Sequence, residues 1–369
     1  MKLKIAIIGT RGIPNHYGGF EQLAQHLSVG LVNKGHDVAV YNSHNHPFKE
    51  KEFNGVEIIR CYDPENKLGT AGQFIYDLNC ITDARKRDFD VLLFLGYTSS
   101  SIWGPFYPKK SIVISNMDGM EWKRSKYPKA VRFFLKYAEK IAIKHSDYLI
   151  ADSIAIQTYL EKKYAISKSR YIAYGADIYS TTDDSILERY FLSKHNYYLL
   201  IARMEPENNI EMILDGFHKS NTNKKIIVIG STNNSFGKYI LNKFKSEERI
   251  VFLQGIYDPL TTHTLKFFCS MYFHGHSVGG TNPSLLEAMA SKAMIAAHDN
   301  EFNRAVLNND GLYFRLVKDV QKIIEIDEID NRLEMIENNF NKVKDQYNWP
   351  RIIDQYGDYI TECFTQSKK

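Results

Sequence analysis

Short apolar runs of strand length recur along the chain, separated by stretches in which apolar positions fall at helical spacing. KIAIIG opens the series, Leu23, Leu27 and Leu31 follow at intervals of four, and DVAVYN returns after Gly35. Strand, amphipathic helix, strand is a βαβ unit, and it implies parallel pairing. The alternation continues through GVEIIR, a helical pattern near 71–86, VLLFLG, SIVIS, a long helix near 130–145, DYLIA and a strand at Tyr171–Tyr174. A second series then begins with YYLLIA and a helix after Glu207, and runs on through KIIVIG, a helix near 236–245, IVFLQG, a helix after Pro259, MYFHG, a helix from Pro283, and AMIAAH.

Two such series predict an α/β chain made of two Rossmann-like domains, each a doubly wound parallel sheet. The segment YGADIYSTTDDSILERYF between them starts polar and patternless, as a connection would, which puts the boundary near 176–195. The expected division is 1–180, 195–345 and a closing segment, 346–369. In that segment YNWPRIIDQYGDYITECF reads as an amphipathic helix with Pro350 in its first turn, which either ends the second domain or crosses back onto the first.

At 369 residues the chain is long enough for two cores, and its 44% hydrophobic content fits a globular protein. The basic start, MKLK, leads into a run only a strand long, so no signal peptide is expected. No stretch reaches the ~20 apolar residues of a membrane span. Cys61, Cys80, Cys269 and Cys363 are too scattered for a disulfide framework or a zinc site, which suits reduced thiols and a cytoplasmic chain. A net charge of +4 is too small to point to nucleic acid.

Candidate chemistry gathers in loops that follow strands, where open α/β sheets bind ligands. In GTRGIPNHYGGFE, Gly9, Gly12, Gly18 and Gly19 offer bare backbone, and Gly18-Gly19 stand just before a helix whose positive end favours an anion. The spacing is G-x-x-G rather than the dinucleotide G-x-G-x-x-G, and DVAVYN ends without an acidic ribose anchor, so a nicotinamide dehydrogenase ranks below a transferase. In HGHSVGGTNPSLLEAMASK, Asn282 is an N-cap, Pro283 fits the first helical position and Gly279, Gly280 and Thr281 precede them, so amides and a helix dipole point into one space. Glu287 lies just over a turn inside that helix, facing the same ligand or solvent, and His276 enters the loop as a hydrogen-bonding contact. In IARMEPENNIEMIL, Arg203 stands where a strand ends, placed to grip a diphosphate with its fork or to pair with Glu205 or Glu207.

Together GTRGIPNHYGGFE, NMDGMEWKRSKY, EPENNI and HGHSVGGTNPSLLEAMA resemble the retaining glycosyltransferases of family 4, with the GT-B fold of two such domains facing each other across a cleft. More narrowly, they look like the bacterial subfamily of rhamnosyltransferases in capsule and cell-wall polysaccharide assembly. The resemblance implies that Arg203 neutralises the donor diphosphate, Glu287 holds the nucleotide ribose, Gly18-Gly19 approach the diphosphate from the other domain, and Gln254 to Asp258, with Tyr257, lie near the base. It implies a nucleoside-diphosphate sugar as donor, a saccharide or lipid-linked saccharide as acceptor, and no cofactor or metal. This sequence departs from the general family at three places. Asn208 stands where a Lys follows the Arg, Gly279 replaces the first carboxylate of Glu-x7-Glu, and Asp118 takes the place of a His beside the reacting sugar, where it acts on the sugar or orients the acceptor. An epimerase of the same architecture and a non-catalytic nucleotide-sugar binder are the competing readings.

Two patterns are discounted and one is kept. Asp88-Phe89-Asp90 spells a metal-binding D-x-D but runs into VLLFLG, which places it at the wrong end of a parallel strand. His44/His46 and His274/His276 have no evident third ligand. Residues 122–144, WKRSKYPKAVRFFLKYAEKIAIK, interleave Lys and Arg with aromatics, a pattern that suits either an anionic membrane surface or a solvated face over a packed core. The first would place the chain peripherally on the inner face of the membrane.

Overall fold

The computed structural model describes residues 1–16, 18–117, 119–166, 169–326 and 329–368. They form two compact units. The first comprises Met1–Trp122, Lys129–Tyr174 and Trp349–Lys369, and the second Lys123–Pro128 and Gly175–Asn348.

The sheet of the first unit contains β1 (Lys4–Ile8), β2 (Asp37–Ser43), β3 (Glu52–Phe53), β4 (Val56–Cys61), β5 (Val91–Leu95), β6 (Ile112–Asn116), β7 (Tyr148–Ala151) and β8 (Ser169–Tyr171). Their order is β3-β4-β2-β1-β5-β6-β7-β8, parallel except for the β3–β4 pair. The second unit holds β9 (Tyr197–Ile201), β10 (Lys225–Ile229), β11 (Ile250–Leu253), β12 (Met271–His274), β13 (Ile295–His298) and β14 (Leu312–Phe314), ordered β11-β10-β9-β12-β13-β14 and parallel throughout. A strand with helices on both faces must be apolar on both, which is why VLLFL and KIIVI are nearly continuous hydrophobic runs.

The order of β9 to β14 has its topological switch between β9 and β12, and that of the first sheet between β1 and β5. Asp90, the second carboxylate of the D-x-D pattern, accepts from the Lys4 amide at 2.8 Å, at the amino end of the sheet.

The structure departs from the pattern-based expectation at short elements. The strand expected at Tyr171–Tyr174 is instead Ser169–Tyr171, because it pairs with β7, whose Ala151 is opposite Tyr171 and is the last residue of that strand. The two-residue β3 and the three-residue β14 are too brief to show a period. The stretch 176–195 includes a short helix, Ser185–Arg189, and is tied to the second unit by Asp183 N to Thr264 Oγ1 at 3.3 Å and His195 N to the Phe268 carbonyl at 2.8 Å.

The closing helix, Trp349–Ser367, belongs to the first unit. Trp349 stacks on His26 with ring centres 4.1 Å apart, and a Cβ on Gly30 would press into Ile353. The Tyr356 hydroxyl accepts from Asn116 Nδ2 at 2.9 Å, and the Tyr359 hydroxyl donates to the Leu149 carbonyl at 3.2 Å. Asn116 is fully buried, so a lost partner cannot be replaced by bulk water. Tyr356→Phe should therefore destabilise the first unit by about 1–3 kcal/mol, the cost of an unsatisfied buried amide. Urea unfolding followed by tryptophan fluorescence would register it; an unchanged midpoint would mean that the bond between Tyr356 and Asn116 contributes nothing to the unit's stability.

Candidate functional site

At the switch point of the second unit, the loops that follow β9 and β12 open side by side. After β9 the chain makes a tight turn, Pro206–Asn208, and Asn209 takes a left-handed φ of 49° before the helix Ile210–Lys219. The two loops are stitched together. Asn209 Nδ2 donates to the Gly275 carbonyl at 2.8 Å, while the Ser277 amide and hydroxyl donate to the Glu207 carbonyl at 3.0 and 2.8 Å. Any Cβ at Gly275 would collide with the Asn208 carbonyl. Asn208, which stands where the resemblance would place a Lys, is only 4% exposed and turns inward, its Nδ2 donating to the Arg203 carbonyl at 2.8 Å. In this position it shapes the loop that carries Arg203.

Arg203 is exposed, and among the described residues its side chain forms no ion pair or hydrogen bond. The two carboxylates that could have paired with it are engaged elsewhere. Lys126 Nζ lies 3.4 Å from Glu205 and Arg124 Nη1 3.7 Å from the buried Glu207. Lys123 adds a contact with Glu301 at 3.6 Å. These three cations come from the basic stretch 122–144, so its first part is not the free surface expected from sequence. It is folded onto the loop that carries Arg203.

Beside that loop His274 and His276 stack, ring centres 4.5 Å apart and 14° from parallel. Burial, reinforced by the charges of Arg203 and Arg124, pushes the His276 imidazole down to about 3. His274 is lowered by burial and by the neighbouring imidazoles of His276 and His298. The His276 carbonyl accepts from Asn300 Nδ2 and Asn303 Nδ2, both at 3.0 Å, which fixes the start of the glycine loop. Both rings are thus neutral near pH 7 and present hydrogen-bonding edges rather than charge.

In the glycine loop Gly279 has a φ of +135° with open space where a side chain would go, and Gly280 and the buried Thr281 follow. Asn282 caps the helix Pro283–Ala290, its Oδ1 accepting from the Ser284 amide at 3.0 Å, and the Leu285 amide bonds to the Asn282 carbonyl. The helix end therefore satisfies its own first amides. Just upstream, the Gly279 and Gly280 amides donate no hydrogen bond among the described residues. Glu287 is 37% exposed on this helix, and its Oε2 accepts from the buried Lys266 at 2.6 Å. After β11, Gln254 and Tyr257 are exposed, and Asp258 caps the helix Pro259–Phe268 through the Thr261 amide at 2.8 Å.

The first unit's glycine loop is arranged differently. Glu21, in the first turn of the helix Gly19–Asn33 and only 3% exposed, folds back to accept from the Arg11 amide at 2.9 Å. The Gly12 amide donates to Thr10 Oγ1 at 2.9 Å and the Ile13 amide to Asn42 Oδ1 at 3.1 Å. Gly12, with a φ of +126°, is required because a Cβ would strike the Asn42 side chain. Its amide is committed within the loop, so any contact with a donor would have to be made by the rest of its backbone. Gly18 and Gly19 stand at the helix start itself. Asp118 lies outside the described residues. His44 and His46 are held in loop hydrogen bonds, Nδ1 of the first accepting from the Asp63 amide at 2.9 Å and Nδ1 of the second from the Phe48 amide at 3.2 Å.

Comparison with known proteins meets this geometry. The sequence profile of a family described as a domain of unknown function (DUF1972) matches residues 2–177. An uncharacterised glycosyltransferase of Methanocaldococcus jannaschii is 23% identical, the match covering 96% of this chain and 97% of that one. Sucrose-phosphate synthase from Thermosynechococcus elongatus superimposes with a TM-score of 0.78 at 15% identity, over 99% of this chain and 100% of the other. HepE of Anabaena, solved in complex with UDP-glucose, gives 0.75 at 14% identity over 99% and 100%. A glycosyltransferase from Rickettsia africae gives 0.72 at 14% over 98% of each. The fold is that of the GT-B glycosyltransferases.

Within this GT-B chain, the second unit brings Arg203, His276, Gly279 and Gly280 onto the loops of one switch point. Sequence reasoning missed Lys266, Asn300 and Asn303, which act through other residues. A D-N before a helix was a readable cap signal at Asn300. Nothing local marked Lys266.

The buried imidazoles predict a pH dependence. His263, lowered to about 4 by burial and Lys266, joins His274 and His276 in resisting protonation. The unfolded chain takes up these protons below about pH 6.5 while the folded chain does not, so stability is full above that value and declines as pH falls toward about 4. The melting temperature should drop between about pH 7.5 and about pH 5.5, and His274→Phe should flatten the slope. A flat wild-type profile would mean that the imidazoles charge within the fold.

Proposed function

We propose that the chain is a glycosyltransferase that takes a nucleoside-diphosphate sugar and transfers the sugar, with retained anomeric configuration, to an acceptor hydroxyl. The observation that carries this reading is Arg203. It is a guanidinium left uncommitted at a switch point, beside two uncommitted glycine amides, while its acidic neighbours are engaged by Lys126 and Arg124. Such a group holds a diphosphate bidentately and stabilises the charge that grows on it as it leaves. His276, as a neutral imidazole, contacts the sugar or phosphate, Glu287 accepts from the pentose, and Gln254 and Tyr257 flank the base.

In the reaction the bond from the sugar's anomeric carbon to the phosphate oxygen breaks and one to the acceptor oxygen forms. The acceptor proton passes to the departing phosphate, and a nucleoside diphosphate is released. That HepE was solved with UDP-glucose, and a structurally similar E. coli protein described as trehalose-6-phosphate with UDP-2-fluoro glucose, supports a donor of this class. The motifs favour deoxythymidine-diphosphate-rhamnose as donor, with a uridine-diphosphate sugar second, and a saccharide or lipid-linked saccharide acceptor in surface polysaccharide assembly. Protein groups supply the positive field, so the reaction runs without a metal.

No described helix is long and apolar enough to cross a membrane. The helix Lys129–His145 nevertheless presents Lys129, Lys136, Lys140 and Lys144 on one face with Phe133 and Tyr137, which are 77% and 57% exposed. Cations with exposed aromatics at this spacing suit the headgroup region of an anionic bilayer, where a lipid-linked acceptor would lie.

Arg203→Ala should lower kcat/KM about tenfold to a hundredfold and Arg203→Lys should recover part of it, since an ammonium keeps the charge and loses the fork. Wild-type turnover by Arg203→Ala at subsaturating donor would remove the diphosphate from this loop. In the same assay excess chelator should leave the rate nearly unchanged, and a strict requirement for added magnesium would refute the metal-free reading. Donor converted to a different sugar in the absence of acceptor would mark an epimerase.

For the membrane, changing Lys129, Lys136, Lys140 and Lys144 to Gln should weaken co-sedimentation with phosphatidylserine vesicles, and added salt should weaken wild-type binding. Equal sedimentation by both proteins would leave a merely solvated face.

A further inference from the structure

Lys266 is a buried cation in the second unit, 2% exposed on the helix Pro259–Phe268. Among the described residues its ammonium has one hydrogen-bond partner, Glu287 Oε2 at 2.6 Å on the neighbouring helix Pro283–Ala290. The two helices are further joined by His263 Nδ1 and Ser291 Oγ, 2.9 Å apart. Ammonium desolvation is costly unless an opposite charge stays close, so the pair fixes the carboxylate as firmly as it fixes the lysine. Glu287 is thereby divided. Oε2 is taken by a charge-assisted bond, and Oε1 accepts nothing among the described residues, on a side chain that is 37% exposed.

That division bears on which nucleotide the site takes, given the assignment of Glu287 to the donor pentose on which this step rests. A carboxylate that chelates both hydroxyls of a ribose offers one oxygen to each. It rejects a 2′-deoxy analogue because one oxygen is then left desolvated and unpaired, which is how hydrogen-bonding sites discriminate strongly against a missing hydroxyl. Here the lysine already fills that place. We propose that Lys266 is a positioning residue that commits Glu287 Oε2 and leaves Oε1 for a single pentose hydroxyl, so that the site accepts 2′-deoxyribonucleoside diphosphates about as well as ribonucleoside diphosphates.

Calorimetry of the full chain with UDP and with 2′-deoxyuridine diphosphate tests this without any variant. The two dissociation constants should lie within about threefold of each other, whereas a site that paired both hydroxyls would favour UDP by about tenfold or more. Lys266→Met frees Oε2 and should open a preference for UDP of about tenfold, while Lys266→Arg, which keeps a cation on Oε2, should hold the ratio near one. A wild-type preference for UDP beyond tenfold overturns the proposal, as does a folded Lys266→Met protein with the wild-type ratio. Should Lys266→Met fail to fold, as its melting curve would tell, the wild-type ratio alone decides. Glu287→Gln separates the two levels of the argument. It should weaken both nucleotides, and if it weakens neither, the pentose assignment itself is wrong and the inference falls with it.

Discussion

The second unit's site depends on one close approach. The main chain at Gly275 lies against the main chain at Asn208 with no room for a side chain, and this allows the loops after β9 and β12 to share hydrogen bonds instead of packing through intervening groups. With the loops at that distance, Asn208 can turn inward to hold the Arg203 carbonyl, and the Arg203 side chain stays exposed. A glycine with no room for a side chain and an asparagine that clamps the main chain thus set the loop from which the arginine projects.

Charge pairing around the loop has the same consequence. Glu205 and Glu207 flank Arg203 in sequence and would be its natural partners, yet each is engaged by a cation from residues 123–128. The pair formed by Glu207 and Arg124 is buried, with side-chain exposures of 2% and 13%. A buried pair is weak evidence of net stability, but removing one member strands a desolvated charge at a cost of about 3–5 kcal/mol. The pairing is therefore better understood as an arrangement of sign. Both carboxylates are neutralised, and the unbalanced charge at the switch point is positive. The basic stretch 122–144, uniform in composition, splits into a part that serves this balance and a helix whose lysines remain exposed.

What could be read from sequence follows from how local each cause is. Strands of four or more residues with continuous apolar character were legible, because burial on both faces writes itself into every position. So was the turn at Asn282-Pro283, where cap and first helical residue are adjacent in the chain. The end of β8 was not, since it is set by where its neighbour β7 stops. Neither was the role of Asn208, which a motif comparison places where relatives carry a cation and which the fold uses as a main-chain clamp. Lys266 lies outside any motif, and only the packing of two helices brings it to Glu287. Asp118, singled out by its motif, lies beyond the described residues.

The two glycine loops show how one architecture supports unequal roles. In each unit a loop rich in glycine follows a strand at the switch point and leads into a helix. In the first unit the chain supplies its own anion. Glu21 sits at the helix start and accepts from the Arg11 amide, while Thr10 and Asn42 take the next two amides. In the second, Asn282 caps only the helix itself, and the Gly279 and Gly280 amides are not consumed by the fold. An anion entering the first loop would have to compete with a buried carboxylate already in place, whereas one entering the second meets two amides and a guanidinium with no internal claimant. Glycine content alone could not have separated the two loops. The difference lies in which amides are already held: Glu21, Thr10 and Asn42 take those of Arg11, Gly12 and Ile13 in the first loop, whereas no described side chain takes those of Gly279 and Gly280 in the second.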